Sequence, residues 1–375
     1  MTVIRTLRRP RILIVGCGDV GLRCVERLRS RARVFALTST PSRRLSLRAA
    51  GTVPLVGDLD ARATLARLAG LAPTVLHLAP PPKTGDDDRR TLALIAALTA
   101  RRRSPARSPS RLRAASGEGT PLRRLVARRT RQTLSQHGTV RAGPPLRGRL
   151  PLRGTPAAAC PEASVIVPER AFATGGPRRS RLRIVYASTT GVYGDCGGAH
   201  IDETRTPRPA TPRAIRRVAA EQRLRRATAR GALAATIARI PGIYAADRLP
   251  LARLEKRTPA LNEADDVYTS HIHADDLAAV LVRLATHGRP ARVIHASDDS
   301  ELRMGEYFDR VADAFGLARA PRISRENAQQ QIDPLLLSFM SESRRLSNRR
   351  LKRELRVRLR YPRVDDFLRT LPPRA

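Results

Sequence analysis

The glycines at positions 16, 18 and 21 form the pattern in this 375-residue sequence that points most directly to chemistry. Four apolar residues, Ile12 to Val15, precede them, and apolar residues at helical spacing follow. In such a turn the first glycine permits the bend, the second lets a pyrophosphate approach the backbone, and the third lets helix and strand pack closely. The N–H groups at the helix start then bind the diphosphate. The sequence predicts a dinucleotide site at Gly16, Gly18, Asp19, Val20 and Gly21. The alternatives are a fold that binds a flavin or another nucleotide, and a Rossmann domain that has lost its ligand.

The residues after the second predicted strand indicate which dinucleotide is preferred. NAD-binding proteins place an acidic residue roughly 20 positions after the glycine turn, where it bonds the ribose 2′-hydroxyl. Here the strand at 34–37 runs into three hydroxyl residues without an acid, and two arginines follow closely. Hydroxyl and guanidinium groups suit a 2′-phosphate. The sequence therefore predicts NADP, with NAD as the alternative, and a site that includes Thr38, Ser39 and Arg43.

Alternating strands and helices must position these residues. Apolar runs predict strands at 12–15, 34–37, 53–56, 75–79, 182–188 and 234–240. Helical patterns predict helices at 61–69, 87–100, 212–230, 274–286 and 304–315, with basic helical turns near 343–355. This alternation predicts an α/β fold, a doubly wound parallel-sheet Rossmann domain followed by a smaller C-terminal substrate lobe.

Residues 101–182 interrupt the alternation. The segment is rich in Arg, Pro, Gly and Ser, and its hydrophobic periodicity is nearly lost. Compact domains rarely contain so long a loop, so the composition predicts a disordered insertion. Two interpretations stay open: a recently acquired or out-of-frame stretch, which we favour, and a basic tether for an acidic partner.

The net charge of +38 raises the question of nucleic-acid binding. The excess is almost entirely Arg, which a GC-rich coding sequence also produces, and Trp is absent, so platforms for base stacking are scarce. We therefore expect no specific nucleic-acid binding. The four cysteines form no C-x-x-C pair, which predicts reduced thiols, no metal site and a cytoplasmic location. No apolar run is long enough to predict a membrane span.

Six motifs, taken in order, resemble the short-chain dehydrogenase/reductase superfamily, in the extended and atypical branch of NAD-dependent epimerases and dehydratases. They are the turn at 16–21, G-D-L-D at 57–60, H-L-A at 77–79, S-T-T-G-V-Y-G at 188–194, R-I-P-G-I-Y at 239–244 and I-H-A-D-D-L at 272–277. The resemblance covers 11–100 and 183–370. It implies that Asp58, Leu59, His77, Leu78 and Ala79 also contact the cofactor.

The resemblance also implies an organisation and an activity. Residues 11–100 and 183–245 would form the NAD(P)-binding domain, and 246–370 mainly the substrate lobe, with Rossmann elements returning at 272–297. The activity would be that of an oxidoreductase or epimerase on a small polar substrate, such as a nucleotide sugar. Helices 87–100 and 212–230 correspond to those that form a homodimer in the extended branch.

The sequence departs from the family at its acid–base pair. The family places a tyrosine and a lysine four residues apart on the helix after the fifth strand, and a glutamate four residues later. Because Glu221 matches that glutamate, Arg217 occupies the lysine position and Arg213 the tyrosine position. An arginine can hold a ribose hydroxyl, so Arg217 is predicted to contact the cofactor, but a guanidinium does not transfer protons near neutral pH.

Another group must therefore transfer the proton, or the protein is catalytically silent. Thr189 and Tyr193 are the predicted catalytic residues, with Tyr193 favoured because its motif places it near the cofactor, and His273 is a further candidate. The second hypothesis is a non-catalytic NAD(P)-binding sensor or scaffold.

Overall fold

Seven parallel strands form the central sheet of the computed structural model, which describes residues 9–100 and 181–372. Their spatial order is β7-β6-β5-β4-β1-β2-β3, which is the doubly wound arrangement predicted from the sequence. In chain order the strands are β1 (Arg11–Val15), β2 (Arg33–Thr38), β3 (Val53–Val56), β4 (Thr74–His77), β5 (Arg183–Thr189), β6 (Ala234–Ile240) and β7 (Val293–His295).

Helices cover both faces of this sheet and continue beyond it. The α-helices of the described residues are α1 (Asp19–Leu28), α2 (Arg44–Ala49), α3 (Arg89–Thr99), α4 (Pro212–Ala229), α5 (Leu251–Glu255), α6 (Ala274–His287), α7 (Met304–Ala314), α8 (Arg325–Gln331), α9 (Pro334–Phe339), α10 (Arg349–Leu355) and α11 (Val364–Leu368). The 3-10 helices are Pro41–Arg43, Arg62–Leu68, Thr190–Tyr193 and Ala246–Arg248.

Short strand pairs accompany the central sheet. Three are parallel: Gly242–Tyr244 with His271–His273, Ala260–Leu261 with Arg322–Ile323, and His200–Ile201 with Arg345–Leu346. Tyr268–Thr269 pairs antiparallel with Leu302–Arg303. The pair at 200–201 and 345–346 connects the loop after β5 to the C-terminal part of the chain.

The alternation of side chains along β1 produces two hydrophobic cores. Ile12 and Ile14 point to one face, where they pack in a cluster with residues of α1 and α6. Leu13 and Val15 point to the other face and join a cluster with residues of α3 and α4. Because both faces are covered, the strand reads as a continuous apolar run rather than an alternating one.

A third cluster lies in the C-terminal half. It joins Tyr244 and Leu254 to Tyr307 and Phe308 of α7 and Phe367 of α11. All of these residues except Tyr244 fall in the predicted substrate lobe, 246–370, whereas Tyr244 falls at the end of the predicted NAD(P)-binding domain, and that domain assignment stays a prediction.

Most predicted elements are present, with two differences. The helix expected at 61–69 is the 3-10 helix Arg62–Leu68, and the basic turns expected near 343–355 are the strand Arg345–Leu346 followed by α10. The Arg-rich insertion predicted at 101–182 lies, except for its last two residues, outside the described residues. Where the description resumes, the Arg183 N–H donates to the Pro73 carbonyl oxygen at 2.8 Å, so β5 begins at the amino edge of the sheet.

Candidate functional site

The turn between β1 and α1 has the geometry that a close backbone approach requires. Gly16 has a φ of +85°, and a Cβ at this position would lie 2.5 Å from the Ala79 backbone nitrogen, so only glycine fits. Gly18 caps α1, and no atom lies within 4 Å of the place its Cβ would take. At Gly21 a Cβ would lie 3.2 Å from the Gly16 carbonyl oxygen. The turn is therefore tight on its inner side and open at the helix start.

A cleft of about 380 Å³ lies beside this turn, at the carboxyl ends of β1, β2 and β4, and we call it the cofactor cleft. It is where a doubly wound sheet is expected to bind its ligand. The predicted cofactor residues that line it are Gly16, Gly18, Thr38, Ser39, Arg43, Asp58, Leu59, Leu78 and Ala79. The lining residues that sequence reasoning missed are Val15, Cys17, Leu37, Thr40, Gly57, Pro80 and Arg90.

Arg90 is the missed residue with the most contacts. Its guanidinium binds the Asp60 carboxylate through Nε at 2.9 Å and Nη2 at 2.5 Å, and its hydrogen bonds lower the pKa of Asp60. Its Nη1 also donates to the Pro80 carbonyl oxygen at 3.3 Å. Arg90 thus ties the loop after β4 to the loop after β3. No sequence signal indicated this role beyond the position of Arg90 in the first turn of a predicted helix.

The end of the cleft near β2 is rich in hydroxyl and basic groups. The Thr38 hydroxyl accepts from the Thr40 N–H at 3.1 Å, which fixes the chain as it leaves β2. Arg43 ends the 3-10 helix that follows and lines the cleft. In the turn itself, burial raises the pKa of Cys17 to about 11, so that thiol is protonated at neutral pH.

Several predicted cofactor residues lie outside the lining of the cleft. The Asp19 carboxylate binds Arg23 at 3.0 Å and Arg248 at 3.1 Å, and Val20 and Gly21 lie on α1 beyond the turn. His77 is 1% exposed, and its Nε2 lies 2.9 Å from the Thr91 hydroxyl. Burial, reinforced by the charge of Arg217, lowers the pKa of His77 to about 3, so its imidazole is neutral.

The two arginines at the family's acid–base positions differ in placement. Arg217 is buried, and its Nη1 donates to the Ala187 carbonyl oxygen at 2.6 Å and to the Tyr186 hydroxyl at 3.1 Å. Arg213 is exposed at the start of α4. Arg217 therefore holds α4 against β5 and does not line the cofactor cleft.

Further along α4, Glu221 is the centre of a buried polar network. Its carboxylate accepts from the Ser188 hydroxyl at 2.6 Å and from Arg239 Nε and Nη2 at 3.0 and 2.7 Å. All three residues are nearly inaccessible to solvent. The glutamate that fixed the motif's register thus has a structural role, joining α4 to β5 and β6.

Tyr193, the favoured proton donor, is enclosed by other side chains. It is 1% exposed, and its hydroxyl lies 2.5 Å from His295 Nε2. The Arg239 guanidinium lies over its ring at 4.7 Å. Burial raises the pKa of Tyr193 to about 12. Its hydroxyl is therefore engaged inside the protein, and it does not line the cofactor cleft.

The other two candidates lie at element ends. Thr189 ends β5, is half-buried, and its hydroxyl accepts from the Gly191 N–H at 3.3 Å. His273 caps α6, and its Nδ1 accepts from the Asp275 N–H at 3.2 Å. Burial lowers the pKa of His273. Of the three candidates, Thr189 alone combines a place at the carboxyl edge of the sheet with partial exposure.

This arrangement can bind a dinucleotide but lacks the usual proton donor on α4. Within 9–100 and 181–372 there is no group of three or more side chains of the kinds that bind metal ions. In the same part of the chain, no helix has the length and apolar character needed to cross a membrane.

Residues 170–296 match the model of the NAD dependent epimerase/dehydratase family. This match confirms the resemblance that the motifs carried. No curated protein sequence matches the chain.

Solved structures share the fold at low sequence identity. A functionally unknown conserved protein from Silicibacter pomeroyi is 22% identical with a TM-score of 0.64, over 96% of this chain and 97% of that one. DesIV, a dTDP-glucose 4,6-dehydratase from Streptomyces venezuelae solved with NAD and TYD, is 16% identical with a TM-score of 0.62, over 96% and 95%. A nucleoside-diphosphate-sugar epimerase from Pseudomonas aeruginosa is 14% identical with a TM-score of 0.62, over 96% and 95%.

Proposed function

We propose that this chain binds NADP(H) in the cofactor cleft. It matches the epimerase/dehydratase family and has the Rossmann fold of its structural neighbours. On this proposal it acts as an oxidoreductase- or epimerase-type enzyme on a small polar substrate, with nucleotide sugars as the class we favour. The observation that carries the proposal is the coincidence of the cleft with the glycine turn. The inner side of that turn excludes any side chain at Gly16, whereas the side at Gly18 is open.

The residues of the cleft fit a dinucleotide. The open N–H groups at the start of α1 would hold the pyrophosphate, and Asp58 would lie toward the adenine end. Thr38, Ser39 and Arg43 would hold a 2′-phosphate, since no acid follows β2 to bond a free 2′-hydroxyl. The bound cofactor would accept or supply hydride.

Thermal unfolding with saturating NADPH or NADH, in moderate salt to limit polyanion binding, tests the cofactor assignment. A ligand at about 100 times its Kd stabilises the folded state by about 2.7 kcal/mol, a shift of several degrees for a domain of this size. We expect the larger shift with NADPH. An equal or larger shift with NADH would overturn the NADP preference, and no shift with either would overturn the binding proposal.

Consumption of NADPH with a panel of carbonyl compounds and oxidised sugar nucleotides tests for an enzyme. Turnover with a panel member would establish the activity and the substrate class together.

The second candidate function is binding without turnover, as in a redox sensor or scaffold. The inward orientation of Arg217 and the exposed Arg213 favour it, because neither residue supplies a proton donor at the cleft. An NADPH-induced shift with neither NADPH consumption nor conversion of any nucleotide sugar would establish this second function, because an epimerase regenerates its cofactor in each turnover.

Assembly and location are also proposals. A homodimer would use α3 and α4, and Leu92 on α3, a large apolar side chain, is 39% exposed. Light scattering of the purified protein would test it. The described cysteines 17, 24 and 196 are free thiols, as expected in the cytoplasm, which is the location we propose.

A further inference from the structure

We propose that Glu342 is the proton-transferring residue of a substrate site at the carboxyl end of β5, opposite Thr189. The inference deepens the proposed enzymatic function and rests on it. Glu342 would be the acid–base group that Arg213 and Arg217 do not provide. The substrate of this site would carry a secondary hydroxyl or the matching carbonyl.

The geometry at Gly191 carries the proposal. A Cβ at this glycine would lie 3.7 Å from the Thr189 hydroxyl oxygen and 3.8 Å from Glu342 Oε2, with no closer atom around it. The absence of a side chain at Gly191 therefore leaves a small space, which we call the notch, with the Thr189 hydroxyl and the Glu342 carboxylate both beside it. Because β5 neighbours β4 in the sheet, this notch lies at the same edge as the cofactor cleft.

The backbone around Glu342 is fixed in place. The next residue, Ser343, donates its N–H to the Asp195 carboxylate at 2.7 Å. The Ser343 carbonyl oxygen accepts from the N–H groups of Cys196 and Gly198, both at 3.0 Å. The strand that follows, Arg345–Leu346, pairs with His200–Ile201. Residues far apart in sequence are thus joined so that one carboxylate is held beside the end of β5.

Arg344 fixes the position of the Glu342 side chain. Arg344 Nη1 donates to Glu342 Oε2 at 2.8 Å and also to the Gly194 carbonyl oxygen at 2.9 Å. Both side chains are mostly buried, at 13% and 14% exposure. The oxygen nearest Gly191, Oε2, is the one bound to Arg344, and among the described residues no hydrogen bond is found to Oε1.

The step on the substrate is a proton transfer coupled to hydride transfer. In the oxidative direction, Glu342 takes the hydroxyl proton while the hydrogen on the same carbon leaves as hydride to NADP⁺, and the carbon–oxygen single bond becomes a carbonyl. Glu342 is then neutral, and the reverse direction returns both hydrogens. The Thr189 hydroxyl accepts from the Gly191 N–H, so its own proton can be donated to the substrate oxygen.

The variant Glu342→Gln tests this role with little change in shape. The amide oxygen can still accept from Arg344 but cannot take a proton. We expect kcat/KM to fall about 10²- to 10⁴-fold on the panel substrate that the natural protein turns over. The NADPH-induced thermal shift should be unchanged, since Glu342 does not line the cofactor cleft. Glu326→Gln, at an exposed glutamate on α8, is the matched control.

Gly191→Ala tests the notch independently. The backbone at Gly191 does not have a left-handed φ, and the added methyl group would make only ordinary contacts, so the variant should fold. The methyl group would contact both the Thr189 hydroxyl and the Glu342 carboxylate, and we expect turnover to fall at least about tenfold with the NADPH shift retained.

The outcomes separate the two proposals. Loss of turnover in Glu342→Gln with its NADPH shift intact supports the inference, and full turnover in that variant overturns it alone. NADPH binding by the natural protein without any turnover overturns both the inference and the enzymatic proposal, in favour of the sensor. Absence of any NADPH shift in the natural protein overturns the proposed function itself, and the inference with it.

Discussion

The turn after β1 and the first half of α4 differ in what they retain for chemistry. At the turn, the left-handed Gly16 and the open Gly18 leave space for a ligand at the helix start. On α4, Arg217 bonds the Ala187 carbonyl oxygen inside the protein, and Arg213 lies at the surface. Cofactor binding and proton transfer depend on different elements of this fold, so one can be retained while the other changes.

The difference also shows why α4 keeps its family pattern without the family's acid–base pair. Glu221 is still buried and still bound to Arg239 and Ser188, because those bonds attach the helix to two strands. Arg217, one turn earlier, also attaches α4 to β5, so among these three positions only the exposed Arg213 has no such structural role. Variants that remove one structural or one ligand-facing group at a time would show how far folding stability and cofactor binding depend on different residues.

Glu221→Ala should have the largest effect. The variant leaves the Arg239 guanidinium, 2% exposed, without its counter-ion, and breaking a buried pair in this way costs about 3–5 kcal/mol. Urea unfolding would measure the loss of free energy. Asp313→Asn, which breaks the exposed pair with Arg319, should cost far less, because exposed ion pairs contribute little. Equal costs for the two variants would contradict a structural role for Glu221.

Gly18→Ala should affect binding and leave folding nearly unchanged. The methyl group would meet no protein atom, but it would stand where the pyrophosphate approaches, at a cost of about 1–3 kcal/mol. We expect the Kd for NADPH to rise by up to about 100-fold, measured by titration calorimetry. Gly21→Ala should show the reverse pattern, because its methyl group would press on the Gly16 carbonyl oxygen. A Gly18→Ala protein that binds NADPH normally would place the cofactor elsewhere.

Acid should destabilise the protein through its buried histidines. The pKa of His77 is lowered to about 3 in the folded state, whereas an unfolded histidine has a pKa of about 6.5. Below pH 6.5 the unfolded state therefore binds the extra proton, and stability falls as pH falls, by up to about 2 kcal/mol between pH 6.5 and 5.

His77→Gln should remove that part of the pH dependence, measured by urea unfolding at several pH values. His287→Gln is the control, because His287 is exposed. If both variants keep the full slope, His77 titrates normally in the folded protein.

Arg43→Ala should give the smallest of these effects and bears on specificity. Loss of one charge-assisted contact to a 2′-phosphate should weaken NADPH binding about tenfold and leave NADH binding unchanged. Parallel titrations with the two cofactors would measure the ratio. A tenfold loss for both cofactors would instead assign Arg43 to a part of the dinucleotide that they share.

The fold could be predicted because its signals are local. Each signal reflects a requirement of the nearby backbone: the apolar run of β1, the glycines that follow it and the apolar spacing on α1. The strand order follows from the repetition of such strand and helix units. The helix expected at 61–69 is a 3-10 helix, a distinction that apolar spacing over so short a segment does not resolve.

The site could be predicted only where its residues act through nearby backbone. Thr38 ends β2, Asp58 and Ala79 come shortly after β3 and β4, and all three reach the cleft because parallel strands end at one edge. Tyr193 also follows a strand, but its side chain points toward His295, a contact between residues far apart in the sequence. Arg90 and Glu342 owe their places to similarly distant contacts, with Asp60 and with the loop after β5, so no motif indicated them.

The amino edge of the sheet lies away from the cofactor cleft, which is at the carboxyl edge. Helix α3 begins beside the carboxyl end of β4, where Thr91 meets His77, and the chain must cross back before Arg183 pairs with the start of β4. Residues 181–183 therefore lie at the edge away from the glycine turn. A group attached at this edge, such as a fluorophore, should therefore disturb the ligand contacts at the carboxyl edge least.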